Sequence, residues 1–214
     1  MPSGKTEGVL LVRVQLPDRP GSLGQVATAL GALGADIEAI EIVERGPGYA
    51  INHFMVELPT AVMPYALVSA CTEIDDVRVM WVSRYPDHWG IESDMATLNR
   101  MADNPALAAT ILTEAAPVVF HCQWAVLASD GQVLAASELA PELDGTLLDE
   151  LSGDPQPARH HRPMGWLPDW GEQEVATARL HNGSVIIVGR TGGPPFLHSE
   201  LMRLRHLAGL ALDG

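Results

Sequence analysis

Asp18-Arg19-Pro20-Gly21-Ser22-Leu23 is the segment of this sequence best equipped for chemistry. Pro20 fixes φ and Gly21 carries no Cβ, so a turn here lets the backbone approach a small molecule closely. The N–H groups of Gly21, Ser22 and Leu23 fall where the first turn of a following helix leaves donors unpaired. The helix dipole favours an anion at the same place. The Asp18 carboxylate stands beside them. An anion cradle next to an acid suits a small zwitterion, such as an amino acid, better than a polymer or a membrane. The bland alternative is that Asp18 and Ser22 simply cap the turn and the helix. Arg19 is expected in solvent under either reading.

A second concentration of reactive types lies between Asp154 and Trp170, with Arg159, His160, His161, Arg162, Trp166 and Trp170. Adjacent histidines in a loop could bind a metal with Asp154 or Asp169, but the spacing fits no closed site, so no metal is assigned. Trp166 or Trp170 could close over a ligand as a lid; the default is a solvated loop with aromatic anchors. No phosphate-binding glycine loop, Gly-x-Gly-x-x-Gly, Gly-x-Ser-x-Gly or His-Glu-x-x-His occurs. No serine, histidine and acid can be paired into a catalytic set, so no catalytic residue and no cofactor is assigned. Cys71 and Cys122 make no disulfide framework and are expected reduced and buried, as in a cytoplasmic protein.

The elements that must position the turn follow from periodicity. Leu10, Val12, Val14 and Leu16 share one face of a strand, with Arg13 and Gln15 on the other. From Ser22 the period becomes helical through Leu23, Val26, Leu30 and Leu33, with Gly34 as a stop. Ile37 to Val43 reads as a strand, Gly46-Pro47-Gly48 as a hairpin break, and Ala50 to Leu58 as a strand with Phe54, Val56 and Leu58 on one face. Met63, Ala66, Leu67, Ala70 and Ile74 predict a second helix, and Val77 to Val82 a fourth strand. Two helices on one face of a four-stranded antiparallel sheet make a ferredoxin-like βαββαβ layer.

Pro86 to Pro105 opens with Pro and Gly, which places a boundary near Tyr85 to Ile91. His88 and Trp89 lie there; they could contact a partner domain, but simple packing is their expected role. Ser93 to Met101 is expected to be a short helix with Ser93 as N-cap. Leu107, Ala108, Ile111, Leu112 and Ala115 predict a helical face. Val118 to Ala128 reads as strand, Ser129-Asp130-Gly131-Gln132 as a hairpin turn, and Val133 to Ser137 as its return. A short helix is expected within Pro141 to Leu151, ending at Gly153, and a long loop over Ser152 to Gly171. Glu174 to Leu180 alternates, Asn182-Gly183 suggests a type I′ turn, and Val185 to Val188 predicts a central strand. Leu197, Leu201, Leu204, Ala208 and Ala211 mark a closing helix.

The chain has 214 residues and a formal net charge of −14, with one lysine, Lys5, against twelve arginines. That length holds one large or two small domains. The acidity argues against a nucleic-acid surface, and no apolar run reaches the roughly 20 residues of a membrane span. The N-terminal MPSGKTEG has no apolar core, so no signal peptide is expected.

Val9 to Arg84 resembles an ACT domain, the effector-binding module attached to many enzymes and regulators of amino-acid metabolism. The resemblance rests on Asp18-Arg19-Pro20-Gly21-Ser22-Leu23, on Gly34-Ala35-Asp36-Ile37, and on the order of elements. It implies an amino-acid site lined by Asp18, Arg19, Pro20, Gly21, Ser22, Leu23, Asp36 and Ile37, usually at the interface of a homodimer. The ligand carboxylate would meet the turn's N–H groups, and Asp18 and Asp36 would hold its ammonium. Where the family often has Asn this chain has Asp36, which only accepts when ionised, so the effector stays open.

The second half resembles a GAF domain: a helix, a strand–Asp-Gly–strand hairpin, a variable middle, and a closing block from Arg179 through Gly-Gly-Pro-Pro-Phe to the helix at His198-Ser199-Glu200. That family binds small ligands over its sheet or only dimerises. The cyclic-nucleotide Asn-Lys-Phe-Asp-Glu set is missing, and Cys122, read within a strand, is not a bilin-attachment residue.

The expected fold class is therefore α+β: a ferredoxin-like ACT domain at 8–85, a linker and helix at 86–104, and a GAF-like antiparallel sheet domain with flanking helices at 105–212. The expected function is regulation through a small-molecule effector, an amino acid, without enzymatic activity and with no nucleic-acid or membrane partner. A structural dimerisation or docking protein that regulates a partner enzyme or kinase is the alternative. An enzyme built on the His160/His161 loop is a third.

Overall fold

The computed structural model describes residues 9–84 and 91–211. The chain divides into two compact units, residues 1–87 and 88–214. The expected break near Tyr85, with His88 and Trp89, lies outside the described residues. Both units are mixed α+β, each with its own antiparallel sheet.

In the first unit, β1 (Leu10–Pro17), β2 (Asp36–Gly46), β3 (Tyr49–Glu57) and β4 (Arg78–Arg84) form a sheet in the order β2-β3-β1-β4. The helices are α1 (Ser22–Ala32) and α2 (Pro64–Thr72). Val12, Val14 and Leu16 of β1 join Phe54 and Val56 of β3 in a core with Val26 and Leu30 of α1 and Leu67 and Cys71 of α2. The alternation read along β1 thus supplies one buried face. On its second face Arg13 is fully buried, and Leu11 and His53 are buried too. A buried cation needs compensation. Arg13 Nε donates to His53 Nε2 at 2.9 Å, and its guanidinium stands 5.9 Å from the Trp81 ring. Alternation marked polarity correctly but not exposure.

Gly34, at φ 76°, ends α1 in a left-handed turn. Ala35 N–H donates to Leu30 O and Gly34 N–H to Gly31 O, which satisfies the last carbonyls of the helix. Pro47 and Gly48, with Gly48 at φ 80°, make the two-residue turn between β2 and β3.

In the second unit, β5 (Trp124–Ser129), β6 (Gln132–Ala136), β7 (Ala158–Arg162), β8 (Gln173–Arg179) and β9 (Val185–Thr191) form a sheet in the order β6-β5-β9-β8-β7. Its helices are α3 (Ile91–Asp103), α4 (Ala108–Val119), α5 (Gly145–Ser152) and α6 (His198–Leu210). Ala125, Leu127, Ile186 and Val188 pack with α4 and α6, while Trp124, Val126 and Ile187 pack with Leu143, Leu148, Leu151 and Leu167. Both faces of the sheet are covered, which is why Val185 to Val188 is unbroken apolar sequence.

Arg190 at the end of β9 closes the unit. It is buried, lies 3.9 Å from the Phe196 ring, and donates to the carbonyls of Phe120 and His121 and to both carboxylate oxygens of Glu200. Glu200 also accepts from Leu197 N–H at 2.7 Å, fixing the start of α6.

Four expectations fail here. Ser93 is not an N-cap: α3 begins at Ile91, and Ser93 O accepts from Thr97 Oγ1 inside the helix. Val118 and Val119 are not strand. Helix α4 runs through Pro117 to Val119 because Val119 is buried in the helical core, and Cys122 lies in the following turn, its Sγ donating to Ala116 O at 3.3 Å. The segment Ser152 to Gly171 is not all loop: β7 pairs with β8 from Ala158↔Thr177 to Arg162↔Gln173. A five-residue edge strand of Ala, Arg and His carries no apolar alternation, so only its main-chain pairing reveals it. Finally, Gly183 has φ 91° but Asn182 is not left-handed, so the turn is not type I′. Leu180 N–H instead donates to Ser184 O across a three-residue loop with glycine at its left-handed position. The two-residue turn with both residues at positive φ is Asp130-Gly131.

Candidate functional site

The turn between β1 and α1 is not a side-chain-capped helix start among the described residues. Gly21 is the residue before α1, at φ 94° and ψ −21°, and no side chain caps the helix. Asp18 N–H donates to Gly48 O, which anchors the turn to the β2–β3 hairpin, and Arg19 N–H donates to Pro17 O. Ser22 N–H is not free as expected: it donates to Arg19 O at 3.3 Å. Gly21 and Leu23 donate to no backbone carbonyl across the turn among the described residues. Arg19 and Pro20 are exposed.

Ser22 is 2% exposed, and its Oγ has no hydrogen-bond partner among the described residues. The capping alternative for Asp18 and Ser22 fails on this geometry. Asp18 faces Arg45, with Oδ2 3.7 Å from Nη1 and both side chains well exposed. That separation is loose for an ion pair, and it sets one acid and one base side by side at the mouth of the turn.

The structure separates the two segments that the sequence reading joined. Asp18 to Leu23 stands at one end of α1; Asp36 and Ile37 begin β2 at the other. The helix between them is 11 residues long, about 16 Å at 1.5 Å per residue. Asp36 is exposed and pairs with Glu57, at the opposite end of the sheet from Gly46↔Tyr49. Within one copy, Asp18 and Asp36 cannot hold one ammonium. Ile37 is partly buried against the core.

Sequence reasoning missed two residues. Arg45 gave no signal, since it ends a strand as any solvated cation does. Asn52 had one: it occupies the core phase of β3, between Ala50 and Phe54, and pairs with Val14 and Ile42. It is 1% exposed, and its Nδ2 has no partner among the described residues.

A second cluster lies on β7 and the segment after it. His160 Nε2, Arg162 Nε and Trp166 Nε1 are buried without partners among the described residues. The Arg162 guanidinium lies 5.6 Å from the Trp166 ring and reaches Glu150 of α5 at 2.9 Å. Burial, and then the Arg162 cation, push the His160 pKa down; Asp154 and Glu150 act against them. His161 points to the other face of the strand, where its Nδ1 is 2.7 Å from Glu174 Oε1. The adjacent histidines therefore diverge, which removes the geometric basis of a shared metal. Among the described residues no group of three or more His, Cys, Asp or Glu is placed to hold a metal. Burial raises the Cys71 thiol to about 11 and the Cys122 thiol to about 12, so neither is an activated nucleophile.

The chain thus pairs a ferredoxin-like unit that carries the turn at Asp18 to Leu23 with a second antiparallel-sheet unit. Residues 10–70 match the family model of the ACT domain, a module that points to regulatory small-molecule binding in general. NAD-dependent malic enzyme 1 of Bacillus subtilis (strain 168) is 34% identical over 71 residues, 33% of this chain and 16% of that protein. The chain therefore spans a small part of that enzyme's length. Among solved structures, a formyltetrahydrofolate deformylase from Pseudomonas putida KT2440 aligns at 11% identity over 45% of this chain and 38% of that one, with a TM-score of 0.30. An unknown protein from Galdieria sulphuraria aligns at 12% identity over 85% and 79%, with a TM-score of 0.32. Superpositions this loose carry no argument about this chain. Among the described residues no helix is long and apolar enough to cross a membrane.

Proposed function

We propose that this chain is a cytoplasmic regulatory protein, without enzymatic activity, that binds an amino acid at Asp18–Leu23 as a homodimer. The observation that carries this reading is the Ser22 hydroxyl, buried in an uncapped helix start without a partner among the described residues. The loose Asp18–Arg45 pair supports a zwitterion. Its carboxylate would take Arg45 and the turn's N–H groups, and its ammonium Asp18, so the ligand replaces one weak ion pair with two. The separation of Asp36–Ile37 from the turn supports a site completed by a second copy. The turn of one copy would face Asp36 and Ile37 at the start of β2 in the other. Binding then favours the dimer, and the linkage is reciprocal.

The domain division at 8–85, 86–104 and 105–212 and the GAF-like character of the second unit belong to the same proposal. The order helix α4, hairpin β5–β6, strands β8–β9, helix α6 supports it, and the buried donors of His160, Arg162 and Trp166 offer a place for a second ligand. Signal relay without a second ligand is the other role for this unit. One observation favours a docking protein instead: Ile40 and Ile42 are exposed on the helix side of edge strand β2.

The test is a thermal-shift screen of the full chain against the common amino acids, repeated with Asp18→Ala. One or a few amino acids raise the midpoint of the native protein, and Asp18→Ala abolishes the shift. A native protein that responds to none of them overturns the amino-acid site and favours docking.

A further inference from the structure

Helices α3 and α4 leave between them an open groove of about 510 Å³, bordered by Ala96 and Thr97 of α3 and by Ala115 and Val118 of α4. Its apolar lining is Ala96, Ala115, Val118 and Val119, with Val118 43% exposed. The charges along α3 are ordered. Glu92 and Asp94 lie in its first turn and Arg100 in its last. Asp94 is held by Arg203, its Oδ2 accepting from Nε at 2.8 Å. Glu92 and Arg100 remain at the groove, with Arg100 3.8 Å from Glu114 across it and both side chains more than half exposed.

Glu92, Ala96 and Arg100 fall at i, i+4 and i+8, a single ridge along the helix surface. This ridge is complementary to itself when reversed. A two-fold axis through Ala96 sets Glu92 against the partner's Arg100 and Arg100 against the partner's Glu92. At the crossing the side chain is a methyl group, so two helix axes can approach to about 8 Å. A parallel arrangement would set like charges together and is disfavoured.

We infer that α3 is a self-association surface, and that its occupant is α3 of a second copy, packed antiparallel about Ala96 with reciprocal Glu92–Arg100 pairs. The contact is isologous, so it closes at two copies. It uses none of the residues of the amino-acid site and stands or falls separately from it.

Cross-linking tests this face alone. Cys71 and Cys122 are both buried, so an introduced surface thiol reports without background. Ala96→Cys in the full chain forms a disulfide-linked dimer under mild oxidation. Asp103→Cys does not, because two copies of that position lie about 20 Å apart in the antiparallel arrangement, far beyond the ~7 Å limit for a disulfide. Adding Glu92→Arg or Arg100→Glu to Ala96→Cys slows the cross-link by roughly ten-fold, since each change reverses both rim contacts. Adding both together, with Glu114→Arg to keep the pair across the groove, restores the rate. Equal cross-linking at positions 96 and 103, or a full reversal that stays slow, overturns the inference. Neither outcome bears on whether an amino acid binds at Asp18.

Discussion

Replacing Ser22 by alanine separates a ligand-reading hydroxyl from a structural one. Ser22 is 2% exposed at the first position of α1, and its Oγ has no partner among the described residues. A buried hydroxyl without a hydrogen bond costs about 1–3 kcal/mol. Alanine removes that cost, leaves a space smaller than a methyl group, and is the better helix former by a few tenths of a kcal/mol. Ser22→Ala should therefore stabilise the unliganded protein by about 1 kcal/mol, equivalent to about 4–8 °C in the midpoint of a unit this size. In the presence of the cognate amino acid the sign reverses, because the same hydroxyl would donate to its carboxylate. The lost bond weakens binding by roughly ten-fold. Denaturant titrations with and without ligand measure both effects, since at constant slope the change in midpoint reads stability directly. A Ser22→Ala protein that is less stable without ligand by 1 kcal/mol or more would show that the hydroxyl has an internal partner, and the site argument would lose its main support.

Two further outcomes are expected in the second unit. An alanine Cβ at Gly189 would stand 2.0 Å from Trp124 Cε2, and Trp124 is fully buried with its Nε1 donating to Gln173 Oε1 at 2.9 Å. The indole has nowhere to move, so Gly189→Ala should destabilise by about 3 kcal/mol or more, measured by chemical denaturation. The second outcome concerns pH. His160 titrates below its ordinary value of 6.5, so the unfolded chain binds its proton first as pH falls. Its contribution to stability is present above about pH 6.5 and is lost on acidification through the lower folded value. His160→Gln should flatten the stability–pH curve over that interval, and a curve unchanged from the native protein would refute the assignment.

Much of the first unit was legible because its instructions are local. Alternation along Leu10 to Leu16, the helical period from Ser22, and glycines at Gly34 and Gly48 each act over a few residues, and each element formed where its pattern lay. The turn at Asp18 to Leu23 was legible for the same reason, since a turn and the residue entering a helix are neighbours in sequence. The second unit was harder where pairing outweighs pattern. ARHHR became β7 through hydrogen bonds to β8, and Val118-Val119 stayed helical because Val119 packs against the core of α4 and α6.

The sequence by itself determined where the turn at Asp18 to Leu23 lies and in what order the strands and helices occur. Only the tertiary structure decided what stands near what. It placed Arg45 against Asp18 through the β2–β3 hairpin, put Asn52 under the helices through the register of β3, and set His160 and His161 on opposite faces of one strand. It also set the length of α1 between Asp18 and Asp36, which no local signal could reveal, because the distance between two loops is fixed by the element that joins them.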